Sequence, residues 1–252
     1  MAKPTVLITG VSGFIARHCA VDMLNAGYAV RGTVRSLQRS AELSASLSRH
    51  ADVSRFSLVQ ADLESDDGWD AAVADCAHVL HVASPFPARQ PHDEQELIRP
   101  AVQGTLRVLR AAAAAGVERL VQTSSMVAVM YGHPRERSAP FTEADWTRIE
   151  TPGVTAYAKS KTLAERAARD FVAQDRSGLR YASVNPGLVL GPALDRDIGT
   201  SAAIVQMMLR GKYPGAPHMA IPCIDVRDVA RMHRLALETD APNGGRYLGC
   251  AE

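Results

Sequence analysis

Two side chains capable of proton transfer lie four residues apart in a stretch that predicts a helix. Tyr157 and Lys161 belong to TAYAKSKTLAERAARD (155–170), whose later residues are strong helix formers. A spacing of four places both side chains on one helix face. A phenol has an ordinary pKa of about 10, and a nearby ammonium group and the positive N-terminal end of a helix both favour the phenolate. The pair therefore predicts a tyrosine with a lowered pKa that serves as a general acid or base.

A pair of serines upstream predicts a third catalytic group. The strand-like run RLVQTSS ends in Ser124 and Ser125. A serine hydroxyl there can hydrogen-bond a carbonyl oxygen of a substrate and orient it toward the tyrosine. We predict that Ser125 has this role, and the sequence leaves Ser124 as the alternative.

Alternating strand-like and helix-like segments must position these groups. PTVLIT, YAVRGTVR, HVLHVAS and RLVQTSS are apolar or β-branched runs, and GFIARHCAVDMLNAG and LIRPAVQGTLRVLRAAAAAG are helical stretches between such runs. Strands that alternate with helices of ten or more residues indicate a parallel sheet covered on both faces. The sequence therefore predicts an α/β fold, a Rossmann-type doubly wound parallel sheet.

The turn from the first strand into the first helix carries the motif TGVSGFIA (9–16). Its two glycines allow a sharp turn and bring backbone amides close to a pyrophosphate at the helix N-terminus. The spacing G-x-x-G-x-x-A differs from the usual G-x-G-x-x-G, but its place between a strand and a helix supports a dinucleotide site over a mere turn. We expect the cofactor to contact Gly10, Ser12, Gly13, Phe14 and Ile15.

The end of the second strand bears on which dinucleotide binds. NAD-specific folds often place an acidic residue there for the ribose hydroxyls, whereas VRGTVRSLQR has no acid and offers Arg35 and Arg39. A guanidinium can hold a ribose 2′-phosphate through two hydrogen bonds, so we predict NADP(H), with solvated surface arginines as the alternative. After the third strand, Asp62 is a candidate acceptor at the adenine edge, with Leu63 beside it.

The composition is that of an ordinary globular protein of 252 residues, with 46% hydrophobic and 22% charged residues. A net charge of +1 gives no reason to expect nucleic acid, and no apolar run reaches the roughly 18 residues of a membrane span. The four cysteines lack metal-ligand spacing, and His81 has no second ligand at such spacing, so we predict a packed histidine and no metal. No signal peptide is evident, and the reducing cytoplasm is the expected location.

Together these motifs resemble the extended short-chain dehydrogenase/reductases, and within them the dihydroflavonol reductase branch, which includes bacterial carbonyl and aldehyde reductases. The resemblance runs from about Thr5 to Tyr247 and also includes HVASPF, YAKSKTLAE, NPGLVLGP and DVRDVA. It implies an NADP-dependent oxidoreductase acting on CH–OH groups. NADPH would deliver hydride to a small aldehyde or ketone, reversibly, with Tyr157 as the acid.

The resemblance also implies roles for particular residues. Lys161 would bind the nicotinamide ribose as well as assist Tyr157. The remaining expected cofactor contacts are Ala83 and Ser84 in HVAS and Pro186 and Gly187 in NPG, and the expected catalytic set is Ser125, Tyr157 and Lys161. We expect residues 1–190 to form the NADP-binding Rossmann domain with these catalytic residues. Residues 191–252 would form a partial substrate-binding region interleaved with the end of the sheet.

Two other functions stay open at this point. Nucleotide-sugar epimerases and dehydratases of the superfamily usually have an asparagine where this chain has Ala101, and non-catalytic NADP-binding sensors usually lose the tyrosine or the lysine. Family members usually continue well past GGRYLGCAE, so we expect the chain to be a fragment of a longer product, with a covering second subunit as the alternative. A monomer or a homodimer is expected.

Overall fold

Parallel strands form the central sheet of the protein. The structure is a computed structural model, which describes residues 3–85, 92–134, 136–195, 199–212, 215, 221–240 and 243–251. The strands are β1 (Thr5–Ile8), β2 (Ala29–Val34), β3 (Phe56–Gln60), β4 (His78–His81), β5 (Arg119–Thr123), β6 (Arg180–Pro186), β7 (Leu188–Leu190), β8 (Cys223–Asp225) and β9 (Gly245–Gly249). Seven of them pair in the order β3-β2-β1-β4-β5-β6-β9, and every pair is parallel. β7 and β8 form a separate parallel pair.

Helices cover both faces of this sheet. They are α1 (Phe14–Asn25), α2 (Ser40–Leu47), α3 (Trp69–Val73), α4 (Gln95–Ala114), α5 (Ala156–Gln174), α6 (Gly199–Leu209) and α7 (Val226–Glu238). α1 packs against α7, and α4 packs against α5. No helix in the described part of the chain is long and apolar enough to cross a membrane.

The apolar residues of β1 show why helices must lie on both faces. Val6 and Ile8 belong to one buried apolar cluster, together with residues of α1 and α7. Leu7 points the other way and joins a second cluster with residues of α3, α4 and α5. A strand buried on both faces reads as a continuous apolar run, which is what PTVLIT shows. The prediction of a Rossmann-type doubly wound parallel sheet is confirmed.

The order of the strands places a crevice at the carboxyl ends of β1 and β4. The chain runs outward from β1 to β2 and β3, then returns to pair β4 with the other edge of β1. In open α/β sheets, ligands bind at such a reversal. β9, which lies within 191–252, extends the main sheet beside β6. The assignment of that segment to substrate binding stays a prediction.

Candidate active site

A cleft of about 950 Å³ opens at this reversal. It brings together most of the residues that the sequence analysis selected, although they come from the carboxyl ends of six different strands and from the starts of helices α1 and α5. Its lining includes Gly10, Ser12, Gly13, Phe14, Ile15, Arg35, Asp62, Leu63, Ala83, Ser84, Ser125, Tyr157, Lys161, Pro186 and Gly187. Arg39 is described but does not belong to this lining.

The glycine turn after β1 packs directly on the end of β4. Gly10 has φ +63, a backbone conformation that side chains disfavour, and a Cβ there would lie 2.8 Å from the Cβ of Ala83. Thr9, the preceding residue, accepts a hydrogen bond from the backbone N–H of Ala83 at 2.9 Å. The turn therefore holds both sides of the crevice together at this point.

The N-terminus of α1 faces the cleft without a side-chain cap. Gly13 is the N-cap, no side chain accepts from the first amides, and the first turn contains no acidic residue. Uncapped amides and the positive end of the helix dipole together form a site for an anion. These residues fit the pyrophosphate of a dinucleotide.

The two arginines after β2 differ in their surroundings. Arg35 lies on the cleft wall and makes no hydrogen bond or ion pair with another described residue. Arg39 donates to Glu42 at 2.8 Å, and the two side chains are 80% and 68% exposed. Asp62 also lines the cleft, and its Oδ1 accepts from the backbone N–H of Glu64 at 3.0 Å.

Tyr157 lies in the first turn of α5, where the helix begins at a threonine cap. The side chain of Thr155 accepts from the N–H of Ala158 at 3.2 Å, which fixes the start of the helix. The hydroxyl of Tyr157 is hydrogen-bonded to Ser125. Ser125 follows β5 and also accepts from the N–H of Val127 at 3.3 Å. The cap and the serine together fix the phenol at the cleft wall.

The pKa of Tyr157 differs in direction from the prediction. Burial raises it to about 12, and the hydrogen bond from Ser125 offsets only part of this effect. The prediction of a lowered pKa was therefore wrong. Lys161 and the helix end attract a phenolate, but the loss of hydration of the buried phenolate has the larger effect on the pKa. The phenol remains protonated across the neutral range.

Lys161 is buried one turn further along the same face of α5. Its Nζ donates to the backbone carbonyl of Thr123 at 3.5 Å. Burial lowers the pKa of Lys161 to about 8, while the carboxylate of Glu165 acts in the opposite direction. The other lysine of this helix start, Lys159, points elsewhere and forms an ion pair with Glu94 at 2.7 Å.

The two adjacent serines have different partners. Ser124 is buried and donates its hydroxyl to Glu165 Oε2 at 2.6 Å. Ser125 hydrogen-bonds Tyr157 and lies 3.5 Å from the carbonyl oxygen of Pro186. The hydroxyl of Ser125, unlike that of Ser124, is next to the phenol. Which serine serves catalysis stays a prediction, and this geometry favours Ser125.

A buried carboxylate beneath the cleft was missed by the sequence analysis. Glu165 is fully buried and is four residues after Lys161, so it shares the face of Tyr157 and Lys161. Arg246, on β9, forms an ion pair with it at 2.6 Å. The spacing Tyr157–Lys161–Glu165 was a usable signal for the acid. Nothing local marked Arg246 as its partner.

His81 is a packed histidine, as the sequence analysis predicted. Its Nδ1 lies 3.0 Å from Thr9 Oγ1 and its Nε2 lies 3.3 Å from Thr105 Oγ1. Complete burial lowers its pKa to about 3, and the nearby charge of Lys161 acts in the same direction. His81 is thus a neutral bridge between the glycine turn and α4.

Comparison with known proteins agrees with this architecture. The chain matches the model of the NAD dependent epimerase/dehydratase family over residues 6–248. It is 36% identical to ketoreductase azaE of Aspergillus niger over 263 residues, which cover 98% of this chain and 77% of that protein. It is 35% identical to a cinnamoyl-CoA reductase of Medicago truncatula over 250 residues, which cover 96% of this chain and 75% of that protein.

A solved structure shows the same fold. Yeast methylglyoxal/isovaleraldehyde reductase complexed with NADPH matches with a TM-score of 0.87 at 30% identity, covering 98% of this chain and 78% of that chain. The resemblance to extended short-chain dehydrogenase/reductases with reductase relatives is therefore confirmed. The chain belongs to the NAD dependent epimerase/dehydratase family.

Proposed function

We propose that the protein is an NADPH-dependent reductase that converts a small aldehyde or ketone into the alcohol, reversibly. The observation that carries the proposal is the meeting of Ser125, Tyr157 and Lys161 at one end of a cleft that is large enough for a dinucleotide. The names of the ketoreductase and of the NADPH-bound yeast reductase support carbonyl reduction as the chemistry. The proposed location is a reducing compartment such as the cytoplasm, and the four cysteines are unpaired thiols.

The described residues would hold the cofactor along the length of the cleft. The glycine turn and the N-terminus of α1 would bind the pyrophosphate, and Arg35 would contact the 2′-phosphate. Lys161 would bind the nicotinamide ribose, with Pro186 and Gly187 shaping the pocket beside it. NADPH supplies the hydride when bound.

The protein's own contribution to the chemistry is a proton and an oriented carbonyl. Tyr157 is the general acid, and its raised pKa keeps it in the proton-donating form at neutral pH. Ser125 orients the carbonyl oxygen through a hydrogen bond. The positive charge of Lys161 stabilises the phenolate that forms when the proton leaves. In the oxidative direction the same tyrosine receives the proton.

The proposal is tested by incubating the purified protein with NADPH or NADH and a panel of small aldehydes, ketones and nucleotide sugars. We expect NADPH absorbance to fall with an aldehyde or ketone, with one alcohol formed for each NADPH consumed, and a slower reaction with NADH. Conversion of a nucleotide sugar without net cofactor consumption would indicate an epimerase instead. NADPH binding without turnover of any carbonyl would indicate a sensor.

A further inference from the structure

We infer that Glu165 and Arg246 are positioning residues for this reaction, which hold the catalytic serine, the catalytic helix and the loop between them in one arrangement. Neither residue lines the described cleft. The inference rests on the proposed carbonyl reduction for its kinetic consequence, but its structural part can be measured separately.

Glu165 receives hydrogen bonds from three elements other than its own. Ser124, at the end of β5, donates to it at 2.6 Å, and Ser183 on β6 donates at 2.9 Å. Asn185, also on β6, donates at 2.8 Å, and Arg246 on β9 donates at 2.6 Å. One carboxylate on α5 thus ties the catalytic helix to the three strands next to it.

Asn185 carries this connection to the reacting serine. Its amide nitrogen donates to Glu165 and also to the backbone carbonyl of Ser125 at 3.2 Å. The next residue, Pro186, lies on the cleft and its carbonyl oxygen is 3.5 Å from Ser125 Oγ. Ser125 is therefore held from both sides, through Ser124 before it and through Asn185 across the sheet.

Arg246 extends the network to the loop between β5 and α5. Its Nη1 donates to the carbonyl oxygens of Glu143 and Asp145, each at 2.7 Å. Its guanidinium also stacks on Trp146, 3.7 Å from the ring centroid. This loop begins at Ser125 and leads into the helix start that carries Tyr157. Arg246 thus anchors the loop that connects the two catalytic hydroxyls.

The charge of Glu165 also acts on Lys161, one helical turn away. The carboxylate favours the protonated lysine, against the effect of burial. The other ionisable groups in this region are Tyr157 and Arg169 on α5, His81 on β4, Tyr181 on β6 and Arg246 on β9. None of these groups carries a negative charge at neutral pH, so among them and Glu165 it is Glu165 that supplies the negative charge acting on Lys161.

Stability alone does not require such a pair. A buried ion pair replaced by apolar side chains is often neutral or stabilising, because both charges lose hydration in the folded state. The hydrogen bonds of this pair are instead made with groups that adjoin the catalytic residues. Small displacements of catalytic groups cost rate steeply, which gives the arrangement a function in the reaction.

The main test is the double variant Glu165→Gln/Arg246→Met, which removes both charges and leaves neither one buried alone. We expect kcat to fall about tenfold or more, with the NADPH Kd changed less than about threefold. A fluorescence titration with NADPH gives the concentration of folded binding sites, and kcat is expressed per folded site. Thr162→Val is the matched control, because it removes a buried hydroxyl from the same helix. Within the described residues, that hydroxyl bonds only to the Ala158 carbonyl.

A readout independent of turnover is the titration of Lys161 itself. The chain has four lysines, so ¹³Cε-lysine NMR can follow each one, with Lys161→Arg to assign the signal. The double variant should titrate Lys161 at a lower pH than the wild type, and Thr162→Val should not. If the wild type reduces no carbonyl, the proposed function fails, while this titration still decides whether Glu165 sets the charge of Lys161.

Ser124→Ala keeps the test decisive if the double variant does not fold. It removes one hydrogen bond to Glu165 and leaves both charges in place, and we expect kcat to fall roughly three- to tenfold. Wild-type kcat per folded site in Ser124→Ala overturns the positioning role. The positioning role is also overturned if the double variant keeps both the wild-type pKa of Lys161 and the wild-type kcat. The ion pair would then have a purely structural role.

Discussion

The two ends of the cleft place their charged groups in opposite environments. At the reaction end, Lys161 and Glu165 are buried; Lys161 donates to the carbonyl of Thr123 on β5, and Glu165 accepts from residues at β5, β6 and β9. At the adenosine end, Arg35 and Arg39 are exposed, and the only ion pair formed by either is the contact of Arg39 with Glu42 within the described residues. Both ends serve the same ligand in the proposed function, yet one is part of the protein interior and the other is on its surface.

This difference decides how each end can work. Burial disfavours charged forms, which raises the pKa of Tyr157 and lowers that of Lys161, so proton transfer depends on the whole surrounding network. Charges on the surface are hydrated and screened by salt, so they contribute mainly through direct contact with a ligand. Substitutions at the reaction end should therefore change the rate, and those at the adenosine end should change the affinity and choice of cofactor.

The largest expected effect is that of Tyr157→Phe. The variant loses only the hydroxyl, and general acid catalysis contributes about 10²–10⁴-fold, so kcat should fall by at least about 100-fold. The NADPH Kd should change little, because the ring still packs in the helix. Stopped-flow reduction and a fluorescence titration measure the two quantities. Tyr131→Phe, at an exposed tyrosine, is the control. A near-normal kcat in Tyr157→Phe would remove this residue from the mechanism.

Arg35→Ala tests the other end and should change affinity instead of rate. Loss of a charge-assisted contact to the 2′-phosphate should weaken NADPH binding roughly ten- to a hundredfold and leave NADH nearly unaffected. The kcat at saturating NADPH should remain close to wild type. Titrations with both cofactors make the comparison. Equal weakening of NADPH and NADH would mean that Arg35 supports its loop and does not contact the phosphate.

The sequence predicted those parts of the site that depend on neighbours along the chain. The turn around Gly10 lies between a strand and a helix that adjoin it directly, and Tyr157 and Lys161 are one helical turn apart. Such features are set by local backbone geometry, so motif and spacing were sufficient. The sheet followed from the alternation of apolar runs with amphipathic stretches.

The parts that the sequence could not predict depend on long-range packing. Arg246 reaches Glu165 only because β9 inserts beside β6, and neither the pairing nor the insertion has a local signature. The pKa of Tyr157 was predicted with the wrong sign for the same reason. The charges near it could be read from spacing, whereas the degree of burial depends on which elements cover the helix start.

The buried end also predicts a pH dependence of stability. His81 and His233 are completely buried, and burial lowers their pKa values to about 3 and about 4, below the ordinary 6.5. The unfolded chain therefore binds more protons than the folded one in this range. Stability should fall as the pH drops below 6.5, by about 1.4 kcal/mol per pH unit for each histidine until its folded pKa is reached.

Urea unfolding between pH 7 and roughly pH 4.5 measures this slope. His233→Gln should give a shallower slope, because one neutral imidazole beside Thr123 no longer has to take up a proton on unfolding. His50→Gln, at an exposed histidine, controls for the loss of an imidazole. A slope that stays the same in His233→Gln would contradict the assignment of acid sensitivity to that buried histidine.

The smallest expected effect is that of Arg39→Ala, which asks whether the adenosine end uses one arginine or two. Arg39 is 80% exposed and already bonded to Glu42, so it must leave that partner to reach a phosphate. Exposed ion pairs are weak, and we expect NADPH binding to weaken less than about fivefold and this loss to shrink at high salt. Glu42→Gln should tighten NADPH binding slightly, because it releases Arg39 from its partner. Fluorescence titrations at low and high salt measure both variants beside Arg35→Ala. If Arg39→Ala weakens NADPH binding as much as Arg35→Ala does, Arg39 is itself a main contact of the 2′-phosphate. The adenosine end would then bind the phosphate through two arginines together, as the reaction end depends on several connected residues.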